Sequence, residues 1–293
     1  MRLHQVSASG LGLPLAMFLA RVLPERAMLK LARNLADRAA LEDSPSARAV
    51  RRNQAVARNL DLSDPALDRA VQAVFRSAGR GYVALFRAMA RGKQDLLRAC
   101  EVSPELIARM EIALARGRGL ILVGPHISAF DFFLLTVGAR GYSGLALSPP
   151  MPTSTYRLQN RLRTQYGTET TPVSVESLRR AIKRLKAGGL VMTGLDRPIP
   201  EPEGLNFFGR PTYLPLGYAR LAVRTGAPLL PGAVIPIGPG RYRTIAGDLI
   251  SPPPAGSEDA ARQLAQLALD QIEPLVREYL DEWLMFFPVW VGT

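Results

Sequence analysis

The stretch Val123-Gly124-Pro125-His126-Ile127-Ser128-Ala129-Phe130-Asp131 joins an imidazole to a carboxylate five residues further on. These are the parts of a general base and the group that orients it. The chain has only two histidines. The other, His4, stands near a chain end, where side chains are seldom held. If an imidazole in this protein does base chemistry near neutral pH, it is that of His126.

Spacing limits how the pair is arranged. In a helix of about 3.6 residues per turn, positions five apart point in quite different directions. His126 must therefore precede the helix, on a strand-to-helix loop, with Asp131 in the first helical turn. The apolar run Leu120 to Val123 reads as the strand, Gly124-Pro125 ends it, and Phe132 to Val137 reads as the helix. Ser128 suits the N-cap position. Two roles for Asp131 stay open. It either orients His126 or, as the fourth residue of Ser128-x-x-Asp131, serves as a capping-box acid favoured by the helix dipole. For His126 the alternative to a general base is a buried structural histidine.

A chain of 293 residues holds one large domain or two small ones and is long enough for a substantial core. Its apolar fraction of 47% and charged fraction of 21% are those of a globular protein. The net charge of +12, carried mostly by arginine, calls for an anionic partner: nucleic acid, an acidic protein or an anionic membrane surface. The single Cys100 excludes an internal disulfide and reads as a small buried apolar residue. With so few cysteines and histidines, neither a zinc site nor any other metal site is expected. No cofactor is called for.

No run reaches the length of about 20 apolar residues that a spanning helix needs. The nearest, Leu11 to Leu23, is interrupted by Pro14 and Arg21 and lacks an A-x-A cleavage pattern. Leu15, Phe18, Leu19, Val22 and Leu23 recur at helical spacing, with Arg21, Arg26 and Lys30 close by. This pattern fits an interfacial membrane helix or, equally, an ordinary core-facing one.

These features divide the chain in two. Residues 1–117 read as a helical N-terminal, membrane-associating region, with breaks near Asp43-Ser44-Pro45, Ser63-Asp64-Pro65 and Ser103-Pro104. Residues 118–293 read as an α/β core, the two together forming one integrated domain. Strands are expected at Gly119–Gly124, Ser143–Leu147, Leu190–Leu195, Leu229–Pro236 and Tyr242–Ala246. Helices are expected after His126 and at Tyr156–Tyr166 (with Arg157, Arg161 and Arg163), Val175–Lys186, Pro215–Arg224 and Glu258–Leu284, the last bent at Pro274. The fold class is thus α/β: a central, mostly parallel sheet flanked by helices, preceded by a helical region. The Pro198–Pro202 loop follows a strand end, where an active-site lid would sit.

Several nucleotide and hydrolase signatures are missing. There is no G-x-x-x-x-G-K-[ST] and no G-x-S-x-G, and Gly117-x-Gly119 precedes its strand where a dinucleotide fingerprint would follow. The basic residues accompany no nucleic-acid-binding motif, so no nucleic acid partner is expected.

An ordered series of segments does carry a likeness. The His126-x-x-x-x-Asp131 pair is followed by Tyr156-Arg157-x-x-Asn160, Gly194-Leu195-Asp196-Arg197 and Asn206-Phe207-Phe208-Gly209-Arg210-Pro211. After these come Leu221-Ala222-Val223-Arg224-Thr225-Gly226-Ala227-Pro228-Leu229-Leu230-Pro231 and Tyr279-Leu280-Asp281-Glu282-Trp283. The series resembles the bacterial lipid A biosynthesis (lauroyl and myristoyl) acyltransferases and the related phosphatidylinositol mannoside acyltransferases. Both lie within the glycerolipid acyltransferase clan marked by H-x-x-x-x-D. The usual His-Phe-Gly-Asn-Trp-Glu and Asp-Gln-Asp of the lipid A enzymes are replaced here. The Asp196-Arg197 pair looks more like the mannoside enzymes.

This resemblance implies a membrane-associated O-acyltransferase at the cytoplasmic face of the membrane. It would move a fatty acyl chain from a thioester of acyl carrier protein or coenzyme A to a hydroxyl of an anionic glycolipid or phospholipid. His126 is implied as the base and Asp131 as its orienter. Arg157 and Asn160 are implied at the substrate, with Arg157 a candidate for gripping phosphate or oxyanion. Asp196 and Arg197 are implied there too, Asp196 either orienting His126 or binding the acceptor. Phe207 and Phe208 line an acyl tunnel or belong to the core. The competing reading is a non-catalytic lipid-binding protein on the same scaffold.

Overall fold

The computed structural model describes residues 12–148, 160, 162–199, 204–253 and 259–290. His4, Leu11, Arg157, Arg161 and most of the Pro198–Pro202 loop lie outside the described residues.

The N-terminal part is helical, as its periodic Ala, Leu and Arg content requires. It comprises α1 (Gly12–Val22), α2 (Glu25–Leu41), α3 (Pro45–Arg58), the long α4 (Ala66–Arg91) and α5 (Lys93–Ala99). Ser44 caps α3 by accepting the Ala47 N–H at 3.1 Å, with Pro45 at the first helical position. Ser103 does the same for α6 (Pro104–Ala115), accepting from Leu106 at 3.2 Å. Helix α1 turns one side to the protein and leaves apolar residues of the other exposed. Its Leu19 and Ala20, with Leu23 just beyond its end, pack with Met28 and Val83, while Leu15, Phe18 and Val22 are 53%, 60% and 56% exposed.

The second part is an α/β sandwich. The strands are β1 (Cys100–Glu101), β2 (Leu120–Gly124), β3 (Gly144–Ser148), β4 (Thr168–Pro172), β5 (Leu190–Gly194), β8 (Leu229–Gly238) and β9 (Arg241–Ala246). They form one sheet in the order β1-β9-β8-β2-β5-β3-β4. Every pairing is parallel except the β8–β9 hairpin. The central strands β2 and β5 are almost continuously apolar because both faces are covered. One face packs against α8 (Val175–Lys186), α9 (Gly217–Thr225) and α10 (Ala260–Glu278), the other against α6 and α7 (Asp131–Ala139). A separate hairpin, β6 (Leu205–Phe207) with β7 (Arg210–Thr212), lies against α10.

Cys100 is fully buried at the start of β1, and burial pushes its thiol up to about 12. One expected boundary is corrected and one unexpected strand appears. The last helix stops at Glu278, before the expected Leu284. A single 3-10 turn over Leu280–Glu282 follows, and Trp283 is extended. The polar strand Thr168–Pro172, absent from the sequence reading, edges the sheet by pairing with β3.

Candidate active site

The register of the two central strands builds the site. Gly124 of β2 pairs with Gly194 of β5, and the Leu195 N–H bonds the Gly124 carbonyl at 3.1 Å. Both chains then leave the sheet together, so the residue two past Gly124 faces the residue two past Gly194. Those residues are His126 and Asp196. The carboxyl ends of parallel strands are where α/β folds place ligands.

His126 Nδ1 lies 2.6 Å from Asp196 Oδ1. Against a carboxylate, Nδ1 must carry the proton, which leaves Nε2 as an acceptor. Asp196 is fully buried and accepts two further hydrogen bonds on Oδ2. One comes from the His126 backbone N–H at 2.9 Å and one from the Trp283 indole N–H at 2.8 Å. The imidazole side chain itself is 24% exposed. A β-carbon at Gly194 would stand 2.8 Å from His126 Cε1, so only glycine lets the ring lie this close to β5. The Phe130 ring meets the imidazole edge-on at a centroid distance of 4.7 Å.

The expected orienter, Asp131, is elsewhere. It opens α7, but its carboxylate is taken by Arg163, whose Nη2 and Nε donate to Oδ1 at 2.5 and 3.1 Å. Arg163 also donates to Asn160 Oδ1 at 3.1 Å, so Asn160 reaches the site region through Arg163. The carboxylate against Nδ1 is thus that of Asp196.

The expected cap is corrected as well. The N-cap residue is Phe130, and the buried Ser128 hydroxyl has no hydrogen-bond partner among the described residues. Ser128 has φ 52°, in the left-handed region. The cause is a backbone clamp. The Ser128 N–H donates to the Glu282 carbonyl at 2.6 Å and the Leu284 N–H to the His126 carbonyl at 2.7 Å, with Ile127 opposite Trp283. Held extended through Ile127, the chain must turn sharply at Ser128 to start a helix at Asp131.

The clamp is tied to the N-terminal helices. Asn53 of α3 donates to the Met285 and Phe287 carbonyls at 3.0 and 2.8 Å and accepts the Val289 N–H at 3.0 Å. Gln54 donates to the Leu280 carbonyl at 2.8 Å, and Arg58 to Asp281 at 2.6 Å. From α4, Arg80 reaches the Glu282 carboxylate at 3.0 Å and Ser77 bonds it as well. A narrow cleft beside the site runs between α4 (Gly81, Tyr82, Leu85) and Ser128, Ala129 and Asp131.

The remaining candidates lie around this centre. Phe207 and Phe208 are buried in a four-ring cluster with Trp283 and Trp290, at centroid distances of 4.7 to 6.2 Å. They pack behind Trp283, on the core side of the site. The Arg197 guanidinium sits 3.9 Å above the Phe287 ring, and burial lowers its proton affinity.

One family model and two known proteins bear on this arrangement. Residues 10–291 match the family model described as bacterial lipid A biosynthesis acyltransferase. A stretch of 135 residues is 32% identical to the phosphatidylinositol mannoside acyltransferase of Mycobacterium tuberculosis (strain CDC 1551 / Oshkosh), and covers 42% of this chain and 40% of that protein. The same protein from strain ATCC 25618 / H37Rv matches at the same identity and coverage. The match thus spans less than half the length of these relatives.

Proposed function

The chain belongs to the bacterial lipid A biosynthesis acyltransferase family, and on that premise we propose that it transfers a fatty acyl chain from a thioester to a lipid hydroxyl. The observation that carries the reading is the imidazole of His126, fixed at Nδ1 by a buried carboxylate with Nε2 free to accept. A proton acceptor held in one tautomer at a strand end is what activation of a hydroxyl requires.

In this mechanism Nε2 takes the proton of the acceptor hydroxyl as its oxygen attacks the thioester carbonyl. Asp196 remains anionic and stabilises the imidazolium. Collapse of the tetrahedral intermediate expels the thiolate, which recovers the proton from Nε2. Positioned proton transfer of this kind contributes about 10²–10⁴-fold. Of the first-turn N–H groups of α7, those of Phe132 and Phe133 already bond the Ala129 and Phe130 carbonyls at 2.8 and 3.0 Å, so the Asp131 N–H is the donor offered to the oxyanion. Among the described residues no activated serine or cysteine accompanies His126, which favours direct transfer over a covalent acyl-enzyme.

The donor is read as a thioester of acyl carrier protein or coenzyme A, both anionic and suited to a +12 chain. The acceptor is read as an anionic glycolipid or phospholipid. The protein is read as peripheral to the cytoplasmic face of the membrane. No helix among the described residues is long and apolar enough to cross a membrane, and the outward stripe of α1 supports attachment by insertion at the surface. The helical and α/β parts are read as one unit, supported by the Asn53, Gln54 and Arg58 ties.

The test is thioester consumption by purified protein, with detergent-dispersed lipids and either acyl carrier protein or coenzyme A thioesters. Acceptor-dependent thiol release is expected, and it should vanish in His126→Ala. Release at the wild-type rate by a folded His126→Ala protein would remove His126 from the chemistry.

A further inference from the structure

We propose that Trp283 is a positioning residue, whose indole N–H sets the grip of Asp196 on the His126 imidazole. The proposal deepens the acyltransferase reading and rests on it for its kinetic arm only.

A fully buried carboxylate is costly unless its oxygens are hydrogen-bonded. Asp196 solves this asymmetrically. Oδ2 takes the Trp283 indole N–H at 2.8 Å and the His126 backbone N–H at 2.9 Å, whereas Oδ1, among the described residues, takes only the imidazole, at 2.6 Å. The indole N–H is a donor and nothing else, so at Oδ2 it can only donate. With Oδ2 saturated by two N–H groups, the carboxylate cannot rotate to offer the imidazole its other oxygen. Each donor also withdraws charge from the carboxylate and so moderates its attraction for an imidazolium.

Packing alone does not explain this contact. Trp290 lies in the same aromatic cluster, its centroid 6.2 Å from that of Trp283, and its buried indole N–H has no partner among the described residues. The cluster therefore tolerates an unbonded indole, while Trp283 is aimed at Asp196. The segment carrying Trp283 also pairs with the backbone of His126 through Ile127 and Leu284. One short strap thus fixes the imidazole from its main chain and the carboxylate from its side chain.

Several titratable groups near the pair have their own partners or surroundings. Tyr218 faces Asp196 from α9, its hydroxyl pushed up by burial and then by the Asp196 charge. Asp131 is paired with Arg163, and Glu282 with Arg80 and Ser77.

The decisive variant is Trp283→Phe, which keeps an aromatic ring and deletes the donor. The kcat is expected to fall roughly tenfold with little change in KM, as for loss of one hydrogen bond to a charged group. The acidic limb of the kcat/KM profile should move to higher pH, because a carboxylate short of one donor holds an imidazolium more tightly. The second readout needs no turnover. The 15N resonances of His126 are assigned by their absence from His126→Ala, and their titration midpoint in Trp283→Phe should move in the same direction.

If Trp283→Phe does not fold, benzothienylalanine at position 283 supplies the indole shape without the N–H, and the same shifts are expected. An unchanged midpoint and an unchanged limb in a folded variant would overturn the proposal and leave Trp283 as packing. Wild-type transfer by His126→Ala would instead sink the acyltransfer mechanism, and the resonance titration would still decide the role of Trp283.

Discussion

Asp131 stands in the first turn of the helix after His126, yet its carboxylate is held by Arg163, through Nη2 at 2.5 Å and Nε at 3.1 Å. Both side chains are largely buried, with 9% and 12% of their surface exposed. This ion pair ties α7 to the segment around residues 160–165. The imidazole five residues earlier is served by a different acid, brought in from the neighbouring strand.

The two carboxylates should therefore respond differently to the same change. Asp196→Asn is expected to lower kcat by about 10²–10⁴-fold, because an amide no longer fixes the tautomer or stabilises the imidazolium. Asp131→Asn should cost far less in rate. Arg163→Met should act mainly on stability, by about 3 kcal/mol, since it strands the Asp131 carboxylate in a mostly buried site. Denaturant midpoints and initial rates on the three variants separate these effects. Equal rate losses for Asp131→Asn and Asp196→Asn would return Asp131 to the catalytic centre.

Gly194 offers a test by crowding. A β-carbon there would come within 2.8 Å of His126 Cε1 and must displace the ring or the strand. Gly194→Ala is expected to leave a folded protein, destabilised by about 1–3 kcal/mol as for other overpacked sites. Transfer should fall by about 100-fold, the scale on which small misplacements of a reacting group are felt. A crystal structure of the variant should show a longer Nδ1–Asp196 separation. Undiminished rates would mean that the imidazole works from another position.

Most of the site's scaffold was legible in the chain, because strand ends and helix starts are local signals. Gly124-Pro125 ends β2 where expected, and the strand at Leu190 is ended by the glycine that faces it. The partner of His126 was less accessible. Spacing along the chain favours the near carboxylate, whereas Asp196 is chosen by the pairing of Gly124 with Gly194, a long-range register. Thr168–Pro172 escaped notice because an edge strand of Thr-Glu-Thr-Thr-Pro carries no apolar alternation. The end of the last helix was misjudged because Leu280, Trp283 and Leu284 keep helical spacing after the helix has stopped. Their burial serves the strap and the aromatic cluster instead.

Asn53 should matter far beyond its size. It is buried, and its amide group serves the backbone at Met285, Phe287 and Val289, downstream of the strap that carries Trp283. Asn53→Ala would leave several of these groups without partners, at a cost of about 2–4 kcal/mol. Denaturant unfolding should register that loss. Residual activity at low temperature should also fall, because the strap holds the backbone of His126. A stability loss with wild-type kcat would show that the strap is braced adequately by Gln54 and Arg58 alone.

The outward stripe of α1 gives a prediction about location that leaves the catalytic centre untouched. Leu15, Phe18 and Val22 face away from the body of the protein, and Arg21, Arg26 and Lys30 are exposed nearby. Insertion of the stripe and attraction of the cations are separable, because only the second is screened by salt. Phe18→Asp should weaken binding to neutral vesicles about tenfold or more, the loss expected when one large apolar side chain no longer leaves water. Arg21→Gln with Lys30→Gln should instead weaken binding to anionic vesicles, and only at low salt. Since Phe18 is 60% exposed, its replacement should barely move the unfolding midpoint. Vesicle flotation at two salt concentrations reads both effects. If Phe18→Asp bound neutral vesicles as well as the wild type, α1 would not be the inserted element, and attachment would have to be sought elsewhere on the surface.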